Sequence, residues 1–200
     1  GGYSNASTSK DMTVYYEEIP SEMLETVFEI ESDRMANLVF RAESMRSEMK
    51  VVLEERRSEI DNSLEGRIRE SLFSLAFRRH SYGWPVLGRE KDLLTLKRED
   101  CIRYYNTHYK PGNAVLVIVG DFDSSAAVAL AERYFGPLPA AAAAPDAAME
   151  EPAQGAERRT VLKDDGPLDI VTVGYRGPKA GSMDTYVLDV LQKALDGGRM

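Results

Sequence analysis

The stretch EMKVVLEERRSEID, residues 48–61, sets the acids Glu48, Glu54, Glu55 and Glu59 around the apolar triplet Val51, Val52 and Leu53. On an α-helix seven residues turn the chain by about 700°, roughly 20° short of two turns. Glu48 and Glu55 therefore face the same way, and Glu59, four residues on, lies on nearly the same stripe. Val52 falls between Glu48 and Glu55, with Val51 and Leu53 beside it, so the spacing predicts a well-buried segment. A carboxylate drawn into such a segment needs a base, a hydrogen-bond donor or a metal as partner. The competing reading is a solvated helix in which Lys50, Arg56 and Arg57 answer Glu48, Glu54 and Glu59. Helix-borne carboxylates ligate zinc or iron only alongside His or further carboxylates. Nothing local supplies those, so spacing alone favours the solvated helix.

Outward from this stretch, the whole region from about 44 to 79 reads as helical, interrupted or bent near Asn62, Ser63 and Gly66. Asp61 and Asn62 either end a helix or support the carboxylate-bearing one. Upstream, residues 12–19, MTVYYEEI, are rich in β-formers and predict a strand, and the preceding NASTS reads as a turn or an irregular edge strand. Pro20 and Ser21 open a helix carrying Leu24, Val27, Phe28, Glu31, Met35 and Leu38 at helical spacing. Downstream, SYGWPVLG (81–88) predicts a loop and 97–108 a helix. Residues 113–123, NAVLVIVGDFD, predict a buried strand, and the next helix starts at Ser124 or Ser125 and ends near Phe135. Residues 137–157 are dominated by Pro and Ala and read as a linker. Strands at 159–163 and 169–175 and a helix over 184–195 complete the pattern. Helices in pairs between scattered strands indicate an α+β class: a mixed, largely antiparallel sheet with helices packed on one face.

Composition narrows the function classes. Thirty-three acids against 25 bases give a net charge of −8, which lacks the basic footprint of a general nucleic-acid binder. Cys101 is the single cysteine, which excludes an internal disulfide and a thiolate metal cluster. The longest apolar run, Ala114–Val119, is far short of the roughly 20 residues of a membrane span. GDFD at 120–123 lacks the glycine spacing and lysine of a phosphate loop. Ser124 and Ser125 are cap candidates rather than nucleophiles, because no His–Asp pair stands in a recognisable setting. The opening GGYSNASTSK has no apolar core of a signal peptide, and both chain ends read as cut, so the chain is expected to be part of a longer polypeptide.

Seven segments occur in one order: NASTSKDMTVYYEEIP (5–20), ESDRMANLVF (31–40), SEMKVVLEERRSEIDN (47–62), HSYGWPVLG (80–88), YYNTHYKPGNAVLVIVGDFD (104–123), RYFGPLP (133–139) and YRGPKAGSMDTYVLDVLQKALDGGRM (175–200). Together they resemble the pitrilysin/insulinase family of zinc metallopeptidases, the inverted zincins, which includes the mitochondrial processing peptidases. That family carries H-x-x-E-H on a helix and a distal Glu some seventy-odd residues later. Two His and the distal Glu bind Zn2+, and the Glu between the two His is the general base.

The resemblance implies that Glu55 is the metal ligand and that Glu48 stands close behind the site. It implies that Asn5, Ala6 and Ser7 form an exposed edge pairing with an extended peptide substrate; without it, a plain turn is the reading. It implies a clamshell with a second homologous half or subunit, which would supply the groups stabilising the oxyanion. Division follows as 1–136, part of the metallopeptidase unit downstream of the metal motif; 137–157, the linker; and 158–200, the continuation of the unit. No H-x-x-E-H occurs in the 200 residues, so its expected place is before Gly1. The only histidines, His80 and His108, match non-ligand positions. The GG pair at 197–198 matches a family turn or simply caps a helix. The expected parent is a zinc metalloendopeptidase acting on unfolded peptides, in a bacterial cytoplasm or periplasm, with this chain inactive by itself. A non-catalytic partner subunit is the alternative.

Overall fold

The computed structural model describes residues 2–140, 149–165 and 169–195. Its sheet is a hairpin, β1 (Tyr3–Thr8) and β2 (Thr13–Glu18), paired antiparallel with Asn5 opposite Tyr16, Ala6 opposite Tyr15 and Ser7 opposite Val14. The segment read as a turn or irregular edge is thus a regular strand. The helices are α1 (Leu24–Asn37), α2 (Ala42–Arg56), α3 (Leu64–Ala76), a single turn α4 (Glu90–Leu93), α5 (Arg98–His108), α6 (Ser124–Phe135) and α7 (Met183–Leu195). The α+β class holds.

Local chemistry explains the boundaries. Between α2 and α3 the chain widens into a π-turn over Arg57–Asp61, closed by the Asn62 N–H on the Arg57 carbonyl at 2.8 Å. Ser63 then caps α3, its hydroxyl accepting from the Gly66 N–H at 3.1 Å. Gly66 is required here because a Cβ would stand 2.1 Å from the Glu59 carbonyl oxygen. Asp123, one residue before the predicted cap, starts α6 by accepting from the Ala126 N–H at 2.7 Å.

Helices meet the hairpin through one face of β2. Tyr15 donates or accepts a 2.7 Å hydrogen bond with Tyr109 and lies under the Arg34 guanidinium, and Glu17 reaches Arg34 of α1. Exposure does not separate the two faces here, since Val14, Tyr15 and Tyr16 are 38%, 39% and 39% exposed. A second contact pins the hairpin turn, where Lys10 Nζ donates to the carbonyls of Tyr82 (2.7 Å) and Trp84. Burial lowers the Lys10 pKa, with Glu70 opposing the shift.

The core of the described residues is thin. Only Phe28, Tyr105 and Ala127 are buried apolar residues. Phe28 of α1 packs on Tyr134 and Phe135 of α6, with ring centroids 6.3 and 6.1 Å away. Among the described residues, the segments 113–123, 159–163 and 169–175, predicted as strands, join no ladder. Val115 and Val119 are 90% and 91% exposed. A strand is stabilised by a neighbour that takes up its N–H and C=O groups, and none is placed beside these segments. Among the described residues the expected wider sheet is the single hairpin. The far end of the predicted linker is docked: the Glu151 carboxylate accepts from the N–H groups of Arg79 (2.6 Å) and His80 (3.0 Å). Burial alone would raise the Glu151 pKa, but the N–H groups of Arg78, His80 and Arg79, with Arg176, outweigh it and bring the group to about 2.

Candidate functional site

The inward face of α2 is not the one that its apolar triplet predicts. Met45, Met49, Val52, Leu53, Arg56 and Ile60 form the sheltered stripe, while Val51 is 56% exposed. Steps of three and four residues put Arg56 on this stripe, and Arg56 is the one buried residue of α2. The expectation of a well-buried segment around Glu48 and Glu55 is corrected accordingly: both carboxylates are exposed.

The two acids do share a helix, as their spacing requires. Glu55 lines a shallow depression with Lys50, Val51, Glu54 and Ser58. Glu54 is taken by Arg57 through an i,i+3 ion pair, and Arg56 turns inward to Glu70 and Asp61. Among the described residues, neither Glu48 nor Glu55 has a side-chain hydrogen bond or ion pair. Of the solvated-helix reading, only the Glu54–Arg57 pair forms as expected.

Asn5, Ala6 and Ser7 lie on β1, exposed, with β2 as their ladder partner on one side. The Asn5 side chain is engaged locally: its Oδ1 accepts from the Ala6 N–H and its Nδ2 donates to the Tyr3 hydroxyl, both at 2.8 Å. No hydrogen bond or ion pair joins β1 to Glu48 or Glu55 among the described residues. The histidines have structural settings. His80 Nδ1 accepts from the Tyr82 N–H at 3.2 Å, and the His108 ring lies 4.2 Å from that of Tyr104. Residues 197 and 198 lie outside the described residues.

Among the described residues, no three His, Cys, Asp or Glu side chains come together as a metal cluster. A tetrahedral zinc needs three or four ligands, so the described residues do not by themselves complete such a sphere. Among the described residues Glu55 is an exposed carboxylate without a protein partner, and a carboxylate is one of the donor types zinc accepts. Sequence reasoning did not find the polar pair next to it, the buried Arg56 with the half-buried Glu70. Its signal was the phase of Arg56 on the Met45–Met49–Val52 stripe.

Known proteins give this geometry its context. The profile described as "Insulinase (Peptidase family M16)" matches residues 1–90, and that described as "Peptidase M16 inactive domain" matches 95–200. The chain is 33% identical over 202 residues to the zinc protease PqqE of Helicobacter pylori, across 100% of this chain and 46% of that protein. It is 33% identical to the mitochondrial-processing peptidase subunit beta of Lentinula edodes, over 71% of this chain and 30% of that one. A crystal structure of a protease from Helicobacter pylori superposes with a TM-score of 0.72 at 32% identity, covering 76% of this chain and 37% of the other. The first half of the periplasmic protease PqqL from Escherichia coli superposes with a TM-score of 0.65 at 25% identity, over 76% and 33% of the two chains. The chain thus spans less than half the length of these relatives. It belongs to the peptidase M16, or insulinase, family of zinc proteases.

Proposed function

We propose that this chain is part of a zinc metalloendopeptidase acting on extended peptides, and that Glu55 is its metal ligand. The observation that carries the reading is the pair Glu48 and Glu55, two turns apart on one helix face and without protein partners among the described residues, in a chain of a zinc protease family. Zinc, when bound, supplies a Lewis acid and lowers the pKa of a coordinated water. Glu55 would offer its carboxylate as one ligand, and Glu48 would tune or orient that group from behind. The remaining ligands and the general base would come from an H-x-x-E-H helix outside these 200 residues. This chain alone is inactive on this reading, because one carboxylate does not hold zinc tightly.

Residues Asn5, Ala6 and Ser7 would receive the substrate as an added strand on β1. An incoming strand that uses the Ala6 N–H must first displace the Asn5 side chain from it. Residues 1–136 form the metallopeptidase unit of this reading, 137–157 its linker and 158–200 its continuation. A second homologous half or subunit closes over the peptide. A non-catalytic partner subunit is the alternative reading.

Zinc analysis of the full-length protein with and without Glu55→Gln tests the proposal. The expected result is stoichiometric zinc in the wild type and weakened binding in the variant. Stoichiometric zinc held at unchanged affinity by the variant removes Glu55 from the site. An upstream sequence without H-x-x-E-H supports the partner reading instead.

A further inference from the structure

We propose that Arg56 is a positioning residue for Glu55, fixing the end of α2 that carries this carboxylate by gripping Glu70 of α3. The inference rests on the reading of Glu55 as a metal ligand. Adjacent helical residues point about 100° apart, so the exposed Glu55 and the inward Arg56 share one stretch of backbone. Anchoring the Arg56 side chain restrains the backbone from which Glu55 projects.

The grip is extensive. Arg56 is 7% exposed. Its Nη2 donates to both Glu70 oxygens at 3.0 and 3.2 Å, and its Nη1 donates to the Gly88 carbonyl at 2.8 Å. Asp61 Oδ1 stands 3.4 Å from the same Nη2. One side chain thereby ties α2 to α3, to the π-turn and to the loop before α4. The hold is needed at this point because α2 ends immediately after Arg56. The wider π-turn that follows gives up the regular hydrogen-bond ladder, a feature found often at functional sites. A surface carboxylate beside an untethered helix end would sample many directions, and a ligand must be held within a fraction of an ångström.

The test is zinc affinity in the full-length protein, by competition with a chromophoric chelator, for Glu55→Gln, Arg56→Met, Arg56→Lys, Glu70→Gln and the double variant Glu55→Gln/Arg56→Met. Hydrogen exchange at residues 57–62 reports the anchor independently of metal. Arg56→Met is expected to weaken zinc by about 10- to 100-fold, as loss of a group supporting a ligand does. Glu70→Gln should shift affinity the same way and Arg56→Lys should recover part of it. The double variant should bind no more weakly than Glu55→Gln, since an effect exerted through Glu55 vanishes once Glu55 is gone. If Arg56→Met does not fold, Glu70→Gln and Arg56→Lys carry the comparison.

Two results overturn the positioning role while leaving the metal reading intact. One is weakened zinc in Glu55→Gln with wild-type affinity in Arg56→Met and Glu70→Gln. The other is a double variant weaker than Glu55→Gln by the full Arg56→Met factor, which marks general loosening. Unchanged zinc in Glu55→Gln overturns the metal reading and this inference together.

Discussion

Glu17 of β2 and Glu31 of α1 face one another beside a single guanidinium, Arg34, whose Nη1 lies 3.9 Å from Glu17 Oε1 and 2.9 Å from Glu31 Oε1. Neither of these two oxygens takes a well-aligned donor among the described residues. Burial, then the hydrogen bond and charge of Glu17, push the Glu31 pKa up to about 7, against the pull of Arg34. The proton belongs to the pair and not to one residue.

The fold favours the protonated pair, so its stabilising contribution is complete below the unfolded carboxyl pKa of 4.5 and is lost as pH rises through about 7. Glu31→Gln cannot ionise and should remove that part of the slope. Urea unfolding of wild type and variant at about pH 5 and about pH 8 checks this. Equal slopes in the two proteins contradict a shared proton.

Gly66→Ala should destabilise the junction of α2 and α3. The new methyl would meet the Glu59 carbonyl oxygen at 2.1 Å and the Ile60 Cα at 2.7 Å, both backbone atoms that cannot swing away. Overpacking of this kind costs about 1–3 kcal/mol, which exceeds the gain of about 1 kcal/mol from alanine's helix propensity. A lowered unfolding midpoint with faster exchange over 57–61 is the expected result, and a raised midpoint rules out the close approach.

Lys10→Met should loosen the hairpin. It keeps most of the stem over the Phe73 ring, where Nζ lies 4.5 Å from the centroid, and removes the hydrogen bonds to the Tyr82 and Trp84 carbonyls. Partial exposure discounts such charged bonds to about 1 kcal/mol. Hydrogen exchange across 3–18 is the measurement. Unaltered protection shows that the hairpin is held by its own turn.

Phe28→Ala should be among the costliest apolar truncations of the described residues. Phe28 is 3% exposed and joins α1 to α6. A loss of about 3 kcal/mol is expected, at the lower end for buried Phe because the surrounding core is thin. Val115→Ala, at a residue 90% exposed, should stay within about 0.5 kcal/mol. Denaturant midpoints for the pair give the comparison, and equal losses contradict the described core.

Much of this molecule was legible in short windows. The strand at 12–19, the helix phase of Leu24, Val27 and Phe28, and the break between Asn62 and Gly66 all rest on interactions within a few residues, which composition and spacing encode. The same-face placement of Glu48 and Glu55 is a property of helix pitch alone. Less legible was β1, because NASTS holds a single β-branched residue, Thr8, and no aromatic one, and is paired by its neighbour across the turn. The Val51–Leu53 triplet misled, since hydrophobicity named Val51 as buried while the stripe through Met45, Met49 and Val52 carried Arg56 inward.

From its residues alone the chain determined its α+β class, its helix positions, its family likeness and the shared face of two carboxylates, because each depends on local geometry or on the order of short segments. Tertiary structure decided which side of α2 turns inward, that Arg56 closes on Glu70 and Gly88, and that Glu17 meets Glu31. Those outcomes depend on partners 14 or more residues away in sequence, and a buried charge is stable only where such partners converge in space.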